Sequence, residues 1–237
     1  MWCPNNPLIP CIKHKLEDLH TTITKQANLE QAQLVTATFG FTNSKKDTAF
    51  WDTTLTPLLN EIEADLTLEQ IRELPNITVT KKAYKAVGLD AARHRPSSDS
   101  LLRRVVKGQG LYQINALVDV NNYLSLKLQL PIGSYDLAKI DGPISYQVAE
   151  EGAEYAGIGK GAINISHFPT LVDQQDAFGS PISDSTRAMI APETTEAMLV
   201  VYAFGQSPAQ LAAIEQTVKT VLQAAFNPEE ITTEIIA

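Results

Sequence analysis

The sequence has 237 residues, of which 44% are hydrophobic and 19% charged, and its formal net charge is -8. This length and composition are typical of one large or two small globular domains, and they exclude an intrinsically disordered chain. The acidic balance also argues against a protein that coats duplex nucleic acid, because such proteins present a broad basic face.

Neither the chain start nor its apolar runs indicate a membrane or secreted protein. The opening segment "MWCPNNPLIPCIKHK" lacks a basic region followed by an apolar core. No apolar run approaches the roughly 20 residues that span a bilayer. Cys3 and Cys11 are the only cysteines, which suits a reducing compartment. We therefore expect a cytoplasmic protein with no membrane partner.

In chain order, the first elements are a strand and several helices. Residues 34–41 are rich in β-branched and aromatic residues, which favours a strand. Residues 55–74 are predicted as a helix in two pieces, and the second restarts at a capping box of Thr67 and Gln70. Pro75 is expected to end it. Residues 80–88 predict a short basic helix.

A basic island then interrupts the acidic chain. Residues 81–107 hold 8 Lys or Arg against 2 Asp or Glu. Its later part, "RHRPSSDSLLRRVVKG", predicts an extended Arg95 before Pro96 and then a helix that runs to Lys107. Ser97 or Ser98 is expected to cap this helix, and Gly108 to end it. The helix also provides a structural explanation for Arg103, Arg104 and Lys107, since a helix end facing water favours positive charge.

The next predicted helix covers "INALVDVNNYLSLKLQL", residues 114–130, and is capped by Asn115. Its predicted core face consists of Leu117, Val120, Leu124 and Leu128. Asn121 and Asn122 lie in its middle, although asparagine is a poor helix former. Two readings stay open: a functional role for the pair, or a solvated helix face.

From residue 131, glycines and prolines separate short runs that favour strands. The best candidates are "PISYQVA", "AINIS", "TLVD", "TRAMIA" and "AMLVVYAF". The last is uniformly apolar and is expected to be a central strand. A final helix begins after Ser207 and runs to about Phe226. Helices in the first half and strands in the second predict an α+β fold.

Two polar segments are candidate functional sites. "YAGIGKGAINI" lacks the spacing of a phosphate-binding loop, so a tight turn between strands is expected, with Lys160 at its tip as an anion contact. "FGSPISDSTRAMI", residues 178–190, groups Ser180, Ser183 and Asp184 before Arg187. It is either a site positioned at strand ends or a turn closed by local hydrogen bonds. The four histidines show no ligand spacing, so neither a metal nor a cofactor is expected.

These segments together resemble the free-standing B3/B4 domain proteins. The resemblance rests on "RHRPSSDSLLRRVVKGQGLYQINALVDVNNYLSLKLQLPIGSYDL", "GIGKGAINI", "FGSPISDSTRAMI" and "AMLVVYAF", and it covers roughly residues 75–205. Such proteins are similar to the B3/B4 module of the bacterial phenylalanyl-tRNA synthetase beta subunit, an editing module that hydrolyses mischarged Tyr-tRNA. We expect no ligase catalytic domain in these 237 residues. We expect residues 1–50 to form an extension with an early strand packed on the core, and residues 51–237 a B3/B4-like domain.

The resemblance implies a mixed β-sandwich-like core with flanking helices, and a pocket built from three segments. In "VDVNNY", residues 118–123, Asn122 falls on the family asparagine and Asn121 replaces a threonine. In "LPIGSYD", residues 130–136, Gly133 replaces the family histidine. Asp184 stands where the family has a pocket glutamate. The implied catalytic residues are Asn122 and Asp184, and the implied substrate-binding residues are Asn121, Gly133, Ser134, Tyr135, Ser180, Ser183 and Arg187.

Three functions follow as hypotheses. The first is a tRNA-binding, editing-like deacylase that hydrolyses an aminoacyl ester in trans. The RNA or anion contacts would be Arg95, Ser97, Ser98 and Lys160, and the partner the tRNA acceptor end rather than DNA. The second is a non-catalytic RNA- or tRNA-binding module, which the loss of the histidine at Gly133 favours. The third is a protein that binds a free amino acid, which the net charge of -8 suits.

Overall fold

Residues 22–237 are described by a computed structural model of the chain, and their elements confirm an α+β fold. Numbered in chain order, the strands are β1 Ile23–Lys25, β2 Ala32–Gly40, β3 Ile132–Asp136, β4 Ile144–Val148, β5 Glu154–Gly157, β6 Gly161–Asn164, β7 Pro169–Val172, β8 Ala177–Gly179, β9 Glu196–Phe204 and β10 Ile231–Ile236. The helices are α1 (48–65), α2 Gln70–Glu73, α3 Pro75–Ala86, α4 Ser97–Val106, α5 Ala116–Leu128 and α6 Pro208–Phe226. Helix α1 contains a π-helical turn, Trp51–Leu55, between α-helical segments Thr48–Phe50 and Thr56–Asp65.

The central sheet is fully antiparallel and has the order β10-β2-β9-β3. Strand β9 lies inside it and is buried from Ala197 to Phe204, so "AMLVVYAF" is confirmed as a central strand. Strand β2 confirms the early strand predicted at 34–41. Strand β10 was not among the predicted strands, and its partner β2 lies far away in the chain.

A second sheet, ordered β1-β4-β7-β8, packs against one face of the central sheet. The core between them includes Tyr146 and Phe178 from the second sheet and Tyr135 and Tyr202 from the central one. Helices α5 and α6 cover the opposite face of the central sheet, next to Ile132 and Val201. This layering confirms the sandwich-like core with flanking helices. Strands β5 and β6 form a separate hairpin, as the turn at the glycine cluster predicted.

Most helix ends follow their predicted chemistry. Asn115 caps α5 by accepting a hydrogen bond from the Val118 amide, and Ser207 and Gln210 form the capping box of α6. Thr67 and Gln70 exchange the two reciprocal bonds of a capping box. Pro75 does more than end a helix: it also begins α3, where a missing N–H costs nothing. Helix α3 is therefore longer than the predicted 80–88 segment.

Two local predictions are wrong. Neither Ser97 nor Ser98 caps α4, because the residue before the helix is Pro96 and no side chain bonds its first amides. "TRAMIA" is not a strand, since only Met189 forms an isolated bridge there, to Tyr135. The segment instead folds around Arg187, whose guanidinium bonds the carbonyl oxygens of Lys139 and Asp176.

Residues 22–50 supply β1 and β2 to the two sheets, and the boundary at residue 50 stays a prediction. Cys3, Cys11 and the rest of the first 21 residues lie outside the described part of the chain. From residue 22 onward, no helix combines the length and hydrophobicity that crossing a bilayer requires. That same portion contains no cluster of three or more His, Cys, Asp or Glu side chains suited to a metal ion.

Candidate functional site

A chain of hydrogen bonds through Tyr135 forms the centre of the candidate site. The Tyr135 hydroxyl donates to Asp184 Oδ1 at 2.7 Å and lies 2.6 Å from the Tyr202 hydroxyl. Because the single hydroxyl proton of Tyr135 is committed to Asp184, Tyr202 is the donor in the second bond. All three groups are positioned by backbone: Tyr135 by β3, Tyr202 by β9, and Asp184 by the loop that follows β8.

The Tyr135 ring lies over two glycines. A Cβ at Gly133 would lie 2.6 Å from the ring carbon Cζ, and a Cβ at Gly179 would lie 2.7 Å from Cε1. Both separations are far shorter than carbon atoms tolerate. Gly133 and Tyr135 face the same side of β3 because they are two residues apart. The space that a larger side chain at position 133 would need is thus filled by Tyr135.

The loop of residues 180–185 holds Asp184 in place. Asp184 Oδ1 also accepts from the Ser180 amide at 3.2 Å, and the Ser180 hydroxyl donates to the Ser183 carbonyl at 2.7 Å. Tyr155 bonds both serines. These local bonds are what the turn interpretation of this segment predicted. They leave Asp184 Oδ2 without a hydrogen-bond partner among residues 22–237, on a side chain that is partly exposed.

Burial of most of the Asp184 side chain raises the affinity of its carboxyl for a proton. The cost of burying a charge raises the pKa of its carboxyl to about 6, and the hydrogen bonds from Tyr135 and Ser180 reduce this rise only in part. A carboxyl with a pKa near 6 exchanges its proton close to neutral pH, as a general base must. Its unbonded oxygen is the atom that could accept a proton from water.

We expect this carboxyl to make stability fall as pH rises from about 4 to about 6. The folded pKa lies above the ordinary value of 3.8, so the folded state binds the proton more tightly. The resulting cost in folding free energy is absent at pH values below the ordinary pKa and complete at pH values above the folded pKa. The part of this cost that builds up between about pH 4.5 and about pH 7, about 2 kcal/mol, should vanish in Asp184→Asn. Urea unfolding of both proteins at about pH 4.5 and about pH 7 measures it; parallel pH curves would contradict the assignment.

Asn121 lies on the other face of the sheet. Its Nδ2 donates to the Ile132 carbonyl at 3.2 Å, and its Oδ1 accepts from Ser134 Oγ at 2.8 Å. Ser134 and Tyr135 are neighbours in β3 and therefore point to opposite faces. These two hydrogen bonds of Asn121 attach α5 to the edge strand β3. Asn122 is the next residue of α5 and is partly exposed. The structure thus does not bring Asn121 together with Asp184, and the catalytic roles of Asn122 and Asp184 stay predictions.

Arg187 is already engaged by the protein. Its guanidinium pairs with Asp173 at 2.9 Å, bonds two backbone carbonyl oxygens and lies 5.4 Å over the Phe178 ring. These contacts tie together three loops around β8. A substrate contact from Arg187 remains a prediction, but the observed position is that of a structural clamp.

Lys160 lies at the exposed turn of the β5–β6 hairpin. The hairpin is joined to the Asp184 loop, since Ile158 N donates to the Asp184 carbonyl at 3.0 Å and Gly157 bridges Ser185. The positive charge of Lys160 also acts on Asp184, lowering the pKa of that carboxyl slightly against the effect of burial. Lys160 is therefore beside the candidate site, where an anion contact was predicted.

A second feature is a concave surface of about 500 Å³ between α2, α3, α4 and the turn before α4. We call it the basic cleft. Its lining residues are Arg72, Lys81, Lys85, Asp90, Ala91, Ala92, Arg95 and Arg103. The sequence singled out only Arg95 here. The charge island at 81–107 was the signal for Lys81 and Lys85, whereas nothing local marked Arg72.

Arg103 and Arg104 were predicted to face water at the end of a helix, but the structure shows both engaged by the protein. Arg103 Nε lies 2.5 Å from Asp99 Oδ1, and the Arg103 side chain is only 15% exposed. Arg104 donates to the Gly110 carbonyl at 2.7 Å and stacks on the Tyr112 ring. Only Lys107 matches the expected exposure. Contacts within α4 and with the segment that follows it, rather than solvent, compensate the charges of Arg103 and Arg104.

The basic cleft and the Asp184 loop share a backbone anchor. The Pro181 carbonyl accepts from the Ser97 amide at 3.0 Å and from the Tyr84 hydroxyl at 3.3 Å. Ser97 begins α4 and Tyr84 belongs to α3, the helices that form two walls of the cleft. Ser98 is fully buried, so its side chain has no direct access to an RNA ligand.

Comparison with known proteins identifies the family. The model of the B3/4 domain matches residues 79–231, more than half of the chain. The chain belongs to the B3/4 domain family. This range includes the B3/4 segments that carry Tyr135, Asp184 and the Arg95 side of the basic cleft.

Among relatives of this B3/4 chain, the phenylalanine–tRNA ligase beta subunit of Chromobacterium violaceum is 40% identical over 65 residues, 27% of this chain and 8% of that subunit. The same subunit of Cereibacter sphaeroides is 29% identical over 139 residues, 58% of this chain and 17% of the subunit. The chain thus spans less than a fifth of either relative. An N-terminal fragment of the phenylalanyl-tRNA synthetase beta subunit from Pyrococcus horikoshii aligns with a TM-score of 0.45 and 15% identity, covering 89% of this chain and 50% of that one.

Proposed function

We propose that this B3/4 protein binds the aminoacylated end of a tRNA and hydrolyses the aminoacyl ester in trans. The observation that carries the proposal is the Asp184 carboxyl. One of its oxygens is fixed by Tyr135 and Ser180, the other has no partner among residues 22–237, and its pKa is raised to about 6. This combination suits a general base that activates water.

The proposed reaction needs no covalent intermediate. Asp184 Oδ2 accepts a proton from water as the water oxygen attacks the ester carbonyl carbon. The bond from that carbon to the ribose oxygen then breaks, and the ribose oxygen takes up the proton. Lys160, at the neighbouring hairpin turn, would stabilise negative charge on the carbonyl oxygen or on a terminal phosphate.

We expect Asp184→Asn to slow deacylation by about 10²- to 10⁴-fold, the usual contribution of a general base. The assay follows release of labelled amino acid from a panel of mischarged tRNAs. Glu193→Gln is the matched control, because it removes one exposed carboxylate outside the site and should leave the rate unchanged. In the wild type, kcat/KM should rise with pH up to about 6 and then level off, as ionisation of this base requires.

Failure to cleave any member of the panel above the spontaneous rate would overturn the hydrolase proposal. The second candidate, a non-catalytic tRNA-binding module, would then remain. It is favoured by the position of Tyr135, which fills the space over Gly133, and by the engagement of Asn121 with β3. Thermal stabilisation by a free amino acid but not by tRNA would instead select the amino-acid-binding alternative.

A further inference from the structure

The basic cleft holds more positive charge than its own residues neutralise. Five cationic side chains line it, whereas Asp90 is the only acidic side chain that residues 22–237 place on its walls. Even when the buried Asp99 beneath Lys81 and Arg103 is included, three positive charges remain in excess. Within residues 22–237, Arg72, Lys85 and Arg95 have no ion-pair partner. An excess of this kind, in a chain of net charge -8, indicates a site for an anionic ligand.

The buried carboxylate of Asp99 fixes the positions of two cationic side chains of the cleft, Lys81 and Arg103. Its Oδ2 lies 2.6 Å from Lys81 Nζ and its Oδ1 lies 2.5 Å from Arg103 Nε. Because Asp99 engages Arg103 through Nε, the two terminal amino groups of the guanidinium stay free of hydrogen bonds to the described residues. A guanidinium held in this way presents a fork that matches phosphate oxygens. The part of the cleft formed by Lys81 and Arg103 is therefore preorganised.

The dimensions and charge of the cleft distinguish among anions. Its volume of about 500 Å³ is within the range of sites that bind nucleotide-sized ligands. A single carboxylate carries one negative charge and would leave most of the excess uncompensated. Successive phosphates of a nucleic-acid strand carry one charge each and match it. The absence of an aromatic side chain among the lining residues fits contact with the backbone rather than with stacked bases.

We propose that the basic cleft is a phosphate-binding site that holds the backbone of the RNA whose acylated end reaches the Asp184 loop. This proposal deepens, and rests on, the function proposed above. The Pro181 carbonyl fixes that loop to Ser97 and Tyr84, on the two helices that form cleft walls. A strand bound in the cleft is thereby held at a constant position relative to Asp184.

The test is the binding of uncharged tRNA to the double variant Lys85→Gln/Arg95→Gln. Both side chains are exposed and unpaired among the described residues, so the fold should tolerate their replacement. We expect the affinity to fall about 10- to 100-fold, and the slope of log affinity against log salt to decrease by about 1.4 to 1.8, which corresponds to two lost phosphate contacts. Fluorescence anisotropy of labelled tRNA measures both.

The control variant is Lys45→Gln/Lys46→Gln, which removes two exposed cations outside the cleft and thus changes net charge equally. It should alter affinity by less than about threefold, as expected for a general charge effect. Equal losses in the two double variants, or no loss in the cleft variant, would overturn the proposal.

Two further measurements separate the ligand sources and the two proposals. If 5′-AMP or inorganic phosphate stabilises the wild type but not the cleft variant, while tRNA does not bind, the site takes free phosphate compounds and the RNA assignment is wrong. Asp184→Asn should bind uncharged tRNA like the wild type. Cleft-dependent tRNA binding without cleavage of any ester would support the cleft and reject the hydrolase.

Discussion

Asp99→Ala is expected to lower the free energy of unfolding by about 3 kcal/mol, the lower part of the range for removing one partner from a buried ion pair. Asp99 is fully buried and lies between Lys81 and Arg103. Without it, two cations face each other across an uncompensated space. The value lies at the lower end because the side chains of Lys81 and Arg103 are 24% and 15% exposed and can turn toward water. Guanidinium unfolding monitored by circular dichroism measures the change.

Asp90→Ala is the matched control for this prediction. Asp90 is an exposed acidic side chain in the same cleft, and among residues 22–237 the only hydrogen bond of its carboxylate is from the Ala92 amide at 2.9 Å. Its removal should cost less than about 1 kcal/mol. Adding Arg103→Met to Asp99→Ala should recover part of the loss, since it removes one of the two repelling charges. Equal effects of the two alanine variants would show that Asp99 does not organise the cleft.

Gly133→Ala is expected to cost about 3 kcal/mol, because the new methyl group overlaps the Tyr135 ring and forces it away. The overlap is with Cζ at 2.6 Å, which no small shift relieves. Moving the ring breaks the bonds from Tyr135 to Asp184 and from Tyr202 to Tyr135. The pKa of Asp184 should change as well, because its environment loses both a donor and a buried ring. Chemical denaturation and the pH dependence of stability report the two effects.

Gly40→Ala provides the comparison, since a Cβ there meets only the Thr195 carbonyl oxygen at an ordinary 3.8 Å. Its effect should stay within about 0.5 kcal/mol. The decisive variant is Gly133→Ala in a Tyr135→Leu background, where the overlapping ring is absent. There the alanine should cost much less than in the wild type. Full additivity of the two substitutions would contradict the proposed contact between Gly133 and Tyr135.

Features that depend on neighbouring residues in the chain were predictable from the sequence. The Asn115 cap and the capping boxes at Thr67 and Ser207 are set by bonds across three residues, so local pattern suffices to find them. The apolar run of β9 predicted its central place for a similar reason, because only an internal strand buries both faces. The same local patterns favoured an α+β fold, and separated motifs carried the B3/4 resemblance.

Features that depend on packing between distant residues were not predictable. Neither Ser97 nor Ser98 caps α4, because the helix already begins at Ser97 after Pro96, and the Ser97 amide bonds the Pro181 carbonyl, far along the chain. Ser134 and Tyr135 separate Asn121 from Asp184 only because β3 lies with one face on each core layer. The closeness of Tyr135 to Gly179 requires the second sheet, which contains β8, to be stacked on the central one.

The chain by itself therefore determined the main helices, the central strand β9, the family and the presence of a basic island in an acidic protein. The tertiary structure decided how that island is used. Packing of α2 against α3 and α4 brings Arg72, Lys85 and Arg95 around one cleft, and Asp99 is buried beneath Lys81 and Arg103. The physical reason is that charge composition is a property of a segment, whereas an uncompensated charge depends on which partners the fold brings within reach.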